Sequence, residues 1–307
     1  MTEYLPEGSR LHNPENIAAI RTPKGLQEAI QKRTILEAFA SVCDSNHNLI
    51  VDLPCMKGII PRIEGAMGIA EGTTRDIALI ARAGKPVCFR VLRIEIDSNG
   101  NPIAILSRRI VQELCWKEYL SSLSPGDIIP AKVTHMERFG CFVDIGCGIP
   151  SLIPIDAISV SRISHPSDRF HVGQSIRVII KSIAGQRICL SHKELLGTWE
   201  ENASMFSAGE TVAGIIRSVE SYGVFIELAP NLAGLAEPKT QVSPGQYASV
   251  YIKALIPEKL KVKLIIVDIF EKEMPDKPLL YFIKDSHISH WKYTPDNSSK
   301  IIETNFS

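Results

Sequence analysis

Hydrophobic and polar side chains alternate with period two over several short stretches of this chain, and one stretch recurs. In Cys141-Phe142-Val143-Asp144-Ile145 the first, third and fifth residues share one face, while Phe142 and Asp144 share the other. The pattern returns 83 residues later as Val224-Phe225-Ile226-Glu227-Leu228, and in weaker form earlier as Leu49-Ile50-Val51-Asp52-Leu53. A sequence that repeats its best strand is built from repeated structural units, and the surroundings of the strand repeat too. Gly126-Asp127 and Gly209-Glu210 precede an extended run, Arg138-Phe139-Gly140 matches Ser221-Tyr222-Gly223 at a turn, and Ser151-Leu152-Ile153-Pro154 matches Gly234-Leu235-Ala236-Glu237. Gly58-Ile59-Ile60-Pro61 stands at the same place in the earliest copy.

Each unit closes with a glycine followed by strand-forming runs, as in Gly173 to Val178 leading to Arg187-Ile188-Cys189-Leu190-Ser191. Five short strands in about 70 residues are the dimensions of a small closed barrel. The pattern therefore predicts a mainly β chain of three tandem five-stranded barrels of the OB type, joined by helical linkers. Their boundaries fall at 31–110, 124–195 and 207–270, with linkers at 111–123 and 196–206. The linker helices are predicted over Ser107 to Leu120 and Ser191 to Phe206, each starting at a serine and carrying a tryptophan, Trp116 or Trp199. Residues 1–30 read as a helical lead-in, with Thr22 capping and Pro23 opening a helix that runs into Leu26 to Ala40. Residues 271–307 read as a loosely ordered polar tail.

If the aliphatic face of the repeated strand fills the barrel, Phe142 and Phe225 point outward, each three residues after another ring, Phe139 or Tyr222. Paired outward rings form a platform on which bases stack without regard to sequence, and Lys132, Arg177, Lys181 and Arg187 are candidate phosphate contacts. The competing reading packs these rings under a linker helix or a neighbouring barrel. Asp144 and Glu227 repeat as well, and an acid on an outer strand face is expected to be solvated rather than catalytic.

The segment Phe139-Gly140-Cys141-Phe142-Val143-Asp144-Ile145, with Gly126 before it and Arg187-Ile188-Cys189-Leu190-Ser191 closing it, closely resembles the RNA-binding domain of bacterial ribosomal protein S-one. Tyr222-Gly223-Val224-Phe225 resembles it too, and the three-unit layout is similar to the short homologues of some Gram-positive bacteria. The resemblance implies S-one-type OB barrels that bind messenger or other single-stranded RNA, and a role at the small ribosomal subunit in translation. It places the family's surface rings on Phe139 and Phe142, on Tyr222 and Phe225, and on His47 and Ile50, and its closing-strand arginine on Arg187 and Lys261. The family histidine after the third strand is missing, replaced by Pro154 or Glu237. These departures imply that the middle unit binds best, the third weakly, and that the first, lacking both rings, serves protein contacts.

The 34 basic and 34 acidic residues balance, which argues against a binder that grips nucleic acid mainly through phosphates. Seven cysteines without a Cys-x-x-Cys pair suit small core residues in a reducing compartment, and no apolar run suggests a membrane span or a secretion signal, so a cytoplasmic location is expected. No phosphate loop, dinucleotide fingerprint, His-Glu-x-x-His segment or Gly-x-Ser-x-Gly elbow is present, and His287 and His290 lack further metal ligands. No enzyme activity, cofactor, metal or small-molecule substrate is expected. An accessory subunit of an RNA-processing enzyme and a protein-binding adaptor are the two other classes the sequence leaves open.

Overall fold

The computed structural model describes residues 3–270 and 279–306. The chain divides into two compact units, one comprising 1–123, 130–132 and 144–150, the other 124–129, 133–143 and 151–307. The lead-in forms helices α1 (Pro14–Arg21) and α2 (Pro23–Lys32). Thr22 caps α2 by accepting from the Gly25 amide at 3.0 Å, with Pro23 in the first turn. This helix stops at Lys32 instead of running to Ala40, because Arg33 takes a left-handed conformation (φ 54°) and Leu36, Ala38 and Ala40 are buried inside a strand.

That strand, β1 (Leu36–Cys43), is followed by β2 (Leu49–Leu53), β3 (Met56–Ile60), a short helix α3 (Ile77–Ile80), β4 (Lys85–Ile96) and β5 (Pro102–Ser107). They close a barrel in the order β1-β2-β3-β5-β4. All its neighbours run antiparallel except β3 and β5, which close it by a parallel contact with Ile59 opposite Ile105. Helix α4 (Arg109–Glu118) lies within the predicted linker helix Ser107 to Leu120, and Ser107 accepts from the Ile110 amide at its start.

The middle barrel comprises β6 (Ile128–Glu137), β7 (Gly140–Asp144), β8 (Pro150–Pro154), β9 (Ser175–Ala184) and β10 (Arg187–Ser191). Cys141, Val143, Ile153, Val178, Ile180 and Leu190 are buried in it, as the alternation requires. The second predicted linker helix is broken in two. Lys193–Leu196 is a 3-10 turn and α5 covers only Trp199–Ala203. Gly197 between them sits at φ +84°, and a β-carbon there would lie 2.6 Å from the Phe282 ring. Thr198 and Glu201 then restart the helix as a reciprocal capping box.

The third barrel, β11 (Thr211–Glu220), β12 (Gly223–Ala229), β13 (Leu232–Ala236), β14 (Tyr247–Ile256) and β15 (Lys261–Phe270), repeats the topology, with β13 and β15 parallel. The expected loose tail is overturned for residues 279–306. Trp291 and Tyr293 are buried with the third-barrel core, and Phe306 is buried beside Ile179 and Leu195. A small hairpin of β16 (His290–Lys292) and β17 (Glu303–Asn305) holds them. Three large aromatic side chains repay the ordering of a segment whose average composition is polar. Residues 271–278, also assigned to the tail, lie outside the described residues.

His192 is buried where this segment meets the middle barrel. Its Nδ1–H donates to the Ile158 carbonyl at 3.0 Å, leaving Nε2 to accept from the Tyr281 hydroxyl at 3.2 Å, and its ring packs edge-on against Phe170 and Tyr281. Burial, with the nearby Arg169 charge adding to it, pushes its pKa down from 6.5 to about 4. The unfolded chain therefore takes up a proton here between those values while the folded chain does not. Stability present above pH 6.5 is lost as the pH falls toward 4, by about 3 kcal/mol from this residue. Denaturant unfolding at a series of pH values should show this slope in the wild type and lose it in His192→Gln; parallel slopes would exclude His192 as the titrating group.

Candidate nucleic-acid interface

The turn between β6 and β7 is tight because Gly140 lies against β8, where a β-carbon would meet the Ile153 carbonyl oxygen at 2.4 Å. It leaves Phe139 at the tip, 57% exposed, and Phe142 half-buried on the outward face of β7. Their rings meet edge to face with centroids 6.0 Å apart. His135 on β6 also neighbours Phe142, nearly parallel to it with centroids 6.2 Å apart, so three rings are grouped here in place of the two expected. His135 also reaches Glu137 at 2.7 Å. A histidine five residues before the turn glycine on an alternating strand is the signal that could have revealed it.

The third barrel reproduces this geometry. Gly223 lies against β13, with the Ala236 oxygen 2.6 Å from a notional β-carbon, Tyr222 is 64% exposed, and Tyr222 and Phe225 meet edge to face at 6.1 Å. Strand register carries the platform onward: Ser218 faces Phe225, Phe225 faces Leu235, and Leu235 faces Lys263 on the closing strand. In the middle barrel the residue facing Leu152 across the parallel contact is Cys189. The first barrel places Val42, Ile50, Ile59 and Ile105 along the same row, which has no ring; Val42 is exposed, Ile50 and Ile59 are half-buried and Ile105 is buried. His47, the family ring position there, adopts φ 62° beside the Arg62–Asp76 ion pair.

The expected cations separate into two groups. Lys181 and Arg187 are exposed on the adjoining strands β9 and β10, and Lys261 is exposed at the start of β15. Two others are engaged by backbone carbonyls. Arg177 donates to the carbonyls of Ile283 and Asp285 at 2.6 and 2.7 Å and lies over the Tyr281 ring, so the C-terminal segment consumes its guanidinium. Lys132 is half-buried, with its Nζ on the Glu7 carbonyl at 3.1 Å.

The repeated acids are also corrected: neither is solvated. Asp144 is buried and accepts from the amides of Glu7, Gly146 and Gly148 at 2.7 to 3.0 Å. Burial and the neighbouring Glu7 carboxylate push it up to about 7, against those amides and Arg108. Glu7 itself is buried against Arg108 at 2.6 Å. Glu227 is equally buried, held by Arg169 at 2.7 and 2.9 Å and by Arg217 at 2.9 Å. Burial pushes its carboxyl up, and the two guanidinium groups overcome this and hold it below the ordinary carboxylate range. Outward from the barrel is not outward to water at these strand ends, because other segments cover them.

Asp168, Arg169, Arg217 and Glu227 border a cavity of about 820 Å³ walled by Phe170, Phe206, Tyr247 and Tyr281. Its two guanidinium groups and two carboxylates neutralise one another, so it offers a phosphate no net charge. Among the described residues no three or more His, Cys, Asp or Glu side chains are grouped to hold a metal ion, and no helix is long and apolar enough to cross a membrane.

Residues 122–193, the middle barrel with its flanks, match the family described as S1 RNA binding domain. The chain is similar to the small ribosomal subunit protein bS1 of Staphylococcus aureus strain COL, with 30% identity over 78% of this chain and 63% of the relative. It is similar also to the bS1 homolog of Bacillus cereus strain ATCC 10987 / NRS 248, at 32% identity over 75% of this chain and 59% of that protein. The chain thus spans less than two thirds of the length of these curated relatives. A multidomain protein with nucleic acid binding domains from Streptococcus pneumoniae covers 76% of this chain and 73% of its own at 12% identity and a TM-score of 0.26.

Removing the Glu227 charge leaves Arg169 and Arg217 without their shared partner in a buried setting. Glu227→Gln should destabilise the second unit by about 3 to 5 kcal/mol. Urea unfolding of wild type and variant measures it, and a change below 1 kcal/mol would show the acid to be as solvated as its alternation suggests.

Proposed function

We propose that this chain is a non-catalytic single-stranded RNA-binding protein that acts in translation at the small ribosomal subunit, in the cytoplasm. The observation that carries the reading is the recurrence of one outward ring pair, with the same edge-to-face geometry, on the same strand of two barrels. Bases stack on such rings with about 1 to 3 kcal/mol each, and sequence-tolerant stacking suits messenger RNA. Lys181 and Arg187 supply phosphate contacts on the middle barrel, and the matched S1 RNA binding domain and the names of the similar proteins support the same reading. Balanced charge makes stacking, rather than counterion release, the main source of affinity.

The aliphatic row Val42–Ile50–Ile59 favours a second role for the first barrel, contact with protein, in the same molecule. It offers no π-face for a base.

Binding of a fluorescent single-stranded RNA of about a dozen nucleotides, a length suited to one or more OB folds, tests the reading. Wild type should bind at low salt. Phe139→Ala with Phe142→Ala should lose tenfold or more, and adding Tyr222→Ala with Phe225→Ala should remove most of what remains. Sedimentation with small ribosomal subunits tests the site of action. Wild-type protein that binds no RNA at low salt overturns the RNA reading and leaves the protein adaptor.

A further inference from the structure

Register, rather than motif position, decides which cation serves the third-barrel platform. The row across that barrel runs Ser218, Phe225, Leu235, Lys263 and Ala254, each facing the next on neighbouring strands. Members of one row project to one face of the sheet. Ring, half-buried leucine and exposed ammonium therefore lie in line, with Phe225 and Lys263 two strands apart, about 10 Å between backbones. The lysine's four-carbon stem spans much of that gap over Leu235, and its other neighbour, Ala254, is too small to obstruct it. Lys261 is on the same strand, two residues nearer its start, opposite Ile256 at the barrel rim.

In the middle barrel the corresponding residue, across the parallel contact from Leu152, is Cys189, half-buried and uncharged. No group among the described residues neutralises Lys263: it takes part in none of the ion pairs there. We infer that Lys263 contacts the phosphate of the nucleotide stacked on Phe225, giving the third barrel a phosphate contact that the matching position of the middle barrel, Cys189, cannot make. This rests on the RNA reading above and goes beyond it by naming the cation that serves the third-barrel ring.

The test uses the full chain carrying Phe139→Ala and Phe142→Ala, so that binding of the same RNA reports the third barrel. One phosphate contact to a single strand contributes about 0.7 to the slope of log affinity against log salt. Lys263→Gln in this background should lower the slope by about that amount, costing about fivefold in affinity relative to its parent at 50 mM salt compared with 500 mM. Lys263→Arg should keep the slope, which separates loss of charge from loss of fold. Conversely, Cys189→Lys in a Tyr222→Ala, Phe225→Ala chain should raise the slope by a similar amount. An unchanged slope in Lys263→Gln overturns the inference and leaves the RNA reading intact, as does loss of all binding on removing Phe139 and Phe142 alone. Failure of the wild type itself to bind RNA overturns the RNA reading and the inference with it.

Discussion

Closure of each barrel by a parallel contact between its third and fifth strands is the constraint on which the rest depends. Five strands cannot wrap around so small a core unless the last returns beside the third, and that return removes the free edge a sheet would otherwise expose. It also brings the fifth strand alongside the third, one strand beyond the second. The outward face of the repeated strand is thereby extended by residues that are distant in sequence: Ile105 beside Ile59, Cys189 beside Leu152, Lys263 beside Leu235. A ring on the second strand, Phe225, and a cation on the fifth, Lys263, then become parts of one surface. Inward residues have no comparable freedom, since a one-residue slip would turn every apolar side chain to water.

A second consequence concerns the ends of the repeated strand. Alternation sends Asp144 and Glu227 outward, yet each is covered by another segment: Asp144 by the Glu7 backbone, Glu227 by Arg169. Covering a carboxylate is costly unless donors replace the lost water, and each acid receives them differently. Three backbone amides serve Asp144, and two guanidinium groups serve Glu227. Buried pairs of this kind add little net stability over apolar packing but penalise any arrangement that separates the partners. Their recurrence at one position of the repeat assigns that position to attachment, while the rings two residues earlier remain free for a ligand.

What the sequence made legible follows from the same distinction between local and distant partners. Three barrels, their turns and the ring pairs were readable because period-two alternation and a turn glycine are local signals. The hydrogen bonds of Arg177 and Lys132 are not legible in the sequence, because their partners, the carbonyls of 283–285 and of Glu7, are more than a hundred residues away. The C-terminal segment was misjudged on average polarity, although Trp291, Tyr293 and Phe306 were visible in it as side chains large enough to hold a short segment down. The linker helix failed at Gly197, whose left-handed backbone and contact with Phe282 depend on that same segment. Motif alignment singled out Lys261, whereas Lys263 emerged only from strand register.

The three rows show one scaffold carrying three surface chemistries. The barrel interior is held to alternating aliphatic residues in every copy, whereas the outer row is free to diverge: Val42–Ile50–Ile59–Ile105, then Leu152 and Cys189, then Phe225–Leu235–Lys263. Stacking is insensitive to salt, and phosphate pairing is not. A chain with zero formal charge cannot rely on long-range attraction to hold RNA, so its grip must be assembled from local contacts of both kinds. Barrel closure has already fixed where the row residue of the fifth strand lies, so Cys189 in one barrel and Lys263 in another give the same row a neutral or a cationic end.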